Sequence, residues 1–246
     1  MTKLADTDLP DEPLILSHLA LRQALGWLGL GLPAALLAHA AMPGNRLEAS
    51  ISDYHFTAMG GFLTGVLSAI GVFLLAYRGY ARKVGEWLSD RWLSRIGGSG
   101  ALGVALLPVH REGYPVCLGD PPTCWTFGAS AHPEALHYGA AFLFFVSLAL
   151  FALVQFPRGE RDATGRLIWS ARAVLFLLSG TTILAAMTAM VPYFLADSGA
   201  KAALSARHYL FWCETMAVVA FSTSWLVKGR ALAAMRATMA RVARRR

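Results

Sequence analysis

Residues Ser50-Ile51-Ser52-Asp53-Tyr54-His55 place two hydroxyls, a carboxylate, a phenol and an imidazole immediately before the apolar run Phe56–Tyr77. His137 and His208 stand near the starts of two later apolar runs, and Glu134 precedes His137 by three residues. Helix starts at a common depth would bring His55, His137 and His208 together at one end of a bundle. Three imidazoles with an open fourth position are the usual setting of catalytic zinc. The ion brings its bound water to a pKa of about 7 and so supplies hydroxide for attack on an ester or amide. Asp53 or Glu134 would then act as general base or orient an imidazole, and Ser52 would donate to the developing oxyanion. Tyr54 belongs to the same polar cavity by position. Glu214 is expected inside the last span, roughly 9 Å below His208 at 1.5 Å per residue. A carboxyl group there marks a polar cavity, a partner or a functional group. The bland alternative is that histidine and tyrosine simply favour membrane interfaces, and no HxxxH or HExxH spacing ties two ligands together.

The chain that must position these groups is 56% hydrophobic and 15% charged, with a mean hydropathy of +0.48. Soluble domains carry about 25% charge. Apolar runs long enough to span a hydrocarbon core of about 30 Å recur along the whole length. They predict helices over His18–Met42 (capped by Ser17 and kinked at Pro33), His55–Tyr80, Leu93–Val109, Pro133–Phe156, Leu167–Phe194 and Leu204–Val227. Val84–Arg95 reads as amphipathic and interfacial. Gly60, Gly61, Gly65 and Gly71 suggest close approach to a neighbouring helix. The expected architecture is all-α: a tail over 1–16, a six-helix transmembrane domain over 17–228, and a basic tail over 229–246. With six spans, 18 of the 22 Lys and Arg fall on the side of the two termini, which places both ends in the cytoplasm. The net charge of +7 flanks the apolar runs without forming a basic face, so membrane lipids are the expected partners and nucleic acid is not. Cys117 and Cys124 then lie outside the cytoplasm, where a disulfide between them is the favoured expectation and two free loop thiols the alternative.

At Ile51-Ser52-Asp53, and again at Cys213-Glu214 followed by Ala220-Phe221, the chain resembles a six-helix family. That family includes the damage-regulated autophagy modulators and the proteins that remodel GPI lipids. The resemblance implies lipid handling. Tyr54-His55 stands where those proteins usually continue with glycine, and is shared with bacterial membrane proteins carrying Ser-Asp-Tyr-His. This implies a multi-pass protein of the bacterial inner membrane. The chain is also similar to the CREST membrane hydrolases, typified by alkaline ceramidases and adiponectin-type receptors, which set a serine, an aspartate and three histidines around zinc. Ser52, Asp53, His55, His137 and His208 supply those types, without the histidine pair four apart that those enzymes carry on a late helix. The functional expectation is a zinc-dependent hydrolase acting on a lipid or lipid-linked substrate. The alternative is a lipid-binding or regulatory membrane protein with no catalysis.

Overall fold

The computed structural model describes residues 12–77, 79, 88–109, 117–118, 123–124 and 133–230. Among them are seven α-helices: α1 (Glu12–Ala40), α2 (Gly60–Ala76), α3 (Asp90–Leu106), α4 (Pro133–Leu150), α5 (Ala171–Leu195), α6 (Ser198–Ala206) and α7 (Tyr209–Lys228). Two residue pairs, β1 (Cys117–Leu118) and β2 (Thr123–Cys124), form a short antiparallel ladder. Four helical stretches are long and apolar enough to cross a membrane: Leu19–Ala40, Glu134–Glu160, Ala171–Leu195 and Tyr209–Lys228. Gly60–Ala76 is apolar but shorter.

Helix starts follow local capping chemistry. Ser89, Ser170 and Asp197 each stand in extended backbone and accept a hydrogen bond from the amide three residues on, opening α3, α5 and α6. Such caps satisfy amides that have no partner within the helix. The Ser17 start is corrected: the backbone is helical from Glu12, so Ser17 lies inside α1. Pro33 sits within α1 without ending it. The second span is also corrected. Ser52–Phe56 is a separate 3-10 turn, Thr57 is extended, and α2 begins only at Gly60. The last span divides too: His208 adopts a left-handed backbone (φ 54°) between α6 and α7. Of the interfacial segment expected over Val84–Arg95, residues 84–87 lie outside the described residues, and Asp90 onward is α3. Beyond α4 the chain continues as a π turn, Phe151–Gln155, and a 3-10 turn, Phe156–Glu160.

The six longer helices form a closed ring in chain order. α2 packs on α1 and α3, α4 on α3 and α5, and α7 on α5 and α1. One end of the ring gathers both ends of the chain's helical body: Gln23 donates to the Gly229 carbonyl (2.8 Å). There Arg22 donates to Tyr77 Oη (3.0 Å) and Lys228 to the Phe156 carbonyl (3.0 Å). Beneath these cations Tyr77, Phe151, Phe156, Phe221 and Trp225 pack ring against ring and are almost wholly buried. Ring edges meeting ring faces suit the aromatic quadrupoles, and the cations sit over the Tyr77 and Phe156 rings. The polar residues singled out from the sequence lie at the opposite end.

Candidate active site

The segment 48–51 is sewn to the start of α7. His208 Nδ1 lies 3.1 Å from the Glu48 carbonyl, the Phe211 amide donates to the Ala49 carbonyl (3.0 Å), and the Ile51 amide donates to Glu214 (2.5 Å). Phe211 is in the first turn of α7, so its amide has no partner inside the helix and the loop carbonyl supplies one. Tyr54 is fully buried and donates to the Leu36 carbonyl of α1 (3.3 Å). Ser50 Oγ donates to Asp53 (2.9 Å) and accepts from the Asp53 amide (3.1 Å), which tightens the turn. Ser52 and Asp53 are thereby held at the rim of the ring.

The histidines meet the end of α3. Its last carbonyls have no helical partner. His55 Nε2 lies 3.2 Å from the Val104 carbonyl and His137 Nδ1 lies 2.6 Å from that of Leu107. A carbonyl only accepts, so Nδ1 of His137 carries a proton. In the neutral ring Nε2 is then an acceptor, and it lies 2.8 Å from Ser52 Oγ. The serine hydroxyl therefore points its proton at a buried imidazole whose tautomer is set from behind by a carbonyl. That is the nucleophile–base–orienter relation of covalent catalysis. His137 is 1% exposed and Ser52 9%.

A cavity of about 620 Å³ opens beside this pair, between α4, α5 and the start of α7. Its polar end is Ser50, Ser52, Asp53, His137, Tyr138, Tyr193 and Glu214; its flank is Phe142, Phe145, Leu184, Met187, Val191 and Phe194. Phe142 is 59% exposed and Val191 47%, so the apolar flank opens on the outside of the ring. The expected walls were the second, fourth and sixth spans. α5 stands in place of α2, none of whose residues lines the cavity. The α5 wall was legible only as an ordinary apolar run, and the orienting Leu107 carbonyl carries no side-chain signal at all.

The sequence-predicted residues divide accordingly. Ser52, Asp53, His137 and Glu214 line one cavity. His55 lies beside it, with its ring centroid 6.5 Å from that of His137. Glu134 is exposed at the start of α4 and outside the cavity wall. His208 is committed to the Glu48 carbonyl. Tyr54 faces α1 and Phe211. Among the described residues no group of three or more His, Cys, Asp and Glu is placed to hold a metal ion. The three histidines are not gathered as a triad: His55 stands beside His137, whose ring nitrogens meet Ser52 and the Leu107 carbonyl, while His208 holds the Glu48 carbonyl. Cys213 is a buried free thiol.

Burial pushes the His55 imidazole down to about 4, and the adjacent His137 acts in the same direction. An unfolded histidine titrates near 6.5, so between these values the unfolded chain binds more protons. The contribution is complete above about pH 6.5 and is lost as pH falls towards 4, approaching ~3 kcal/mol. Thermal unfolding in detergent across that range should show the acid loss. His55→Gln, which keeps an N–H near the Nε2 position, should flatten it; an unchanged slope would clear His55.

The ladder sets Cys117 directly opposite Cys124. Opposed residues of antiparallel strands have Cα atoms about 4.5–5.5 Å apart, within the range a disulfide spans. The side chains themselves lie outside the described residues. Intact mass without reductant is expected to be lower by two hydrogens than after reduction. Ready alkylation of both thiols before reduction would rule the bridge out. No known protein family, curated protein or solved structure matches this chain.

Proposed function

We propose that the protein is a serine hydrolase of the membrane, cleaving an ester or amide in an amphiphile that enters sideways from the lipid. The observation that carries this reading is the Ser52–His137 hydrogen bond at the polar end of a cavity whose apolar side faces outward. Ser52 Oγ attacks the carbonyl carbon while His137 Nε2 takes the hydroxyl proton. The tetrahedral oxyanion collapses, the carbon–heteroatom bond breaks, and the leaving group takes that proton from His137. Water, deprotonated by the same nitrogen, then releases the acid and restores Ser52. The Tyr138 hydroxyl, on the cavity wall, is the candidate donor to the oxyanion.

The membrane setting proposed here keeps the six spans, with α2 and α3 completing the four longer ones, and both termini cytoplasmic. Support comes from the shared end of Gln23 and Gly229 and from the one-sided Lys and Arg. The site then faces the outer side of a bacterial inner membrane. Lipid handling, implied by the Ile51-Ser52-Asp53 resemblance, is consistent with it.

A second reading is favoured by one observation: His55 and His137 cap orphan carbonyls of α3, a purely structural task. On that reading the cavity binds lipid without turnover. A long-chain phosphonate that reacts with activated serines separates the two when applied to purified protein in nanodiscs. Stoichiometric labelling at Ser52, absent in His137→Asn, supports the hydrolase. An unlabelled Ser52 with retained lipid supports the binder. Stoichiometric metal that disappears in His137→Asn would replace the serine mechanism by metal-assisted hydrolysis.

A further inference from the structure

The polar end of the cavity is chemically one-sided. Among the described residues that line it, two are carboxylic acids, Asp53 and Glu214, and none is Lys or Arg. Both acids are fixed from behind: Glu214 by the Ile51 amide and Asp53 by the Ser50 hydroxyl. The other polar groups on this wall are hydroxyls and His137. The nearby start of α7 would ordinarily attract an anion. Here the Phe211 amide is spent on the Ala49 carbonyl, and the Glu214 carboxyl stands further along the same helix, accepting from the Ile51 amide. Phosphate seats are built from guanidinium, ammonium or unspent backbone amides. This wall offers two fixed acceptors instead, in a low-dielectric setting that magnifies charge preference.

We infer that the site selects an amphiphile whose polar end carries a protonated amine, held between Asp53 and Glu214, over one ending in phosphate. The inference rests on the lipid-cavity reading above and names its substrate class. A hydrogen bond to a charged partner corresponds to roughly a ten- to hundredfold preference.

The test uses the full chain in neutral detergent, with hexadecylammonium, hexadecyl phosphate and hexadecanol competing against a fluorescent fatty alcohol. Hexadecylammonium should bind roughly ten- to hundredfold more tightly than hexadecyl phosphate. Asp53→Asn combined with Glu214→Gln should erase that difference and leave hexadecanol affinity unchanged. Gln retains an acceptor for the Ile51 amide, and unchanged hexadecanol binding shows that the cavity is intact. Equal or tighter binding of the phosphate, or a preference that survives the double substitution, overturns the inference. Amine preference with an unlabelled Ser52 would sink the hydrolase and keep the headgroup assignment; a labelled Ser52 with phosphate preference would do the reverse.

Discussion

Ser52→Ala is expected to lower turnover of a long-chain ester by roughly a thousandfold or more, with amphiphile binding preserved. The size follows from the proposed role: Ser52 carries the hydroxyl hydrogen-bonded to the His137 imidazole, and its loss leaves binding and oxyanion donation. His137→Asn is the informative partner. The asparagine amide nitrogen falls near the position of Nδ1, so the hydrogen bond to the Leu107 carbonyl survives while the base at Nε2 is gone. Its turnover should fall about as far as that of Ser52→Ala, and the double variant should be little worse than either single one, because the two groups act as a unit. Stopped assays on ester-bearing amphiphiles would read all three. Turnover within a factor of a few of the native value in Ser52→Ala would end the proposal.

Gly100→Val is expected to be strongly destabilising although Gly100 lies outside the cavity lining. A Cβ at Gly100 would lie 2.7 Å from the Ala140 carbonyl oxygen and 2.8 Å from the Phe144 amide nitrogen. These are backbone atoms of α4 and have no rotamer through which to yield, so the two helices must move apart. Overpacking of this kind costs about 1–3 kcal/mol and more against a rigid backbone. Gly98→Val, facing the Gly71 carbonyl at 2.8 Å, should act similarly on α2 and α3. His137 lies one turn before Ala140, so pushing α4 outward also draws the imidazole from Ser52. Gly65→Ala is the control: nothing lies within 4 Å of its Cβ position. Thermal unfolding should show a clear drop for Gly100→Val and almost none for Gly65→Ala. Equal stability for all three would refute the close-packing account.

The same glycines show what the sequence could convey. Gly60, Gly61, Gly65 and Gly71 all suggested a tight helix contact, yet Gly61 and Gly65 face open space. A glycine reports that a backbone approach is permitted, and only the fold decides whether it is used. Long apolar runs were legible because their length is set by the hydrocarbon core; α5 and α7 lie within a few residues of expectation. The Thr57 break and the left-handed His208 were not, since both sit where polar residues border an apolar run and a continuous helix reads equally well. Of the site, the residue types were visible and the pairing was not. The Ser52–His137 contact joins positions 85 apart, and a main-chain carbonyl chooses the tautomer. The zinc expectation counted three imidazoles, and what the sequence did not carry is the main-chain carbonyl set beside each of them.

Ser52 and His137 ride on different parts of the ring. Ser52 follows a loop tied to α1 and α7, whereas His137 belongs to α4 and leans on α3. The 2.8 Å bond between them joins the two parts at the polar end of the outward-opening cavity. On the proposed hydrolase reading, any shift of α3 and α4 against α1 and α7 separates the hydroxyl from the imidazole.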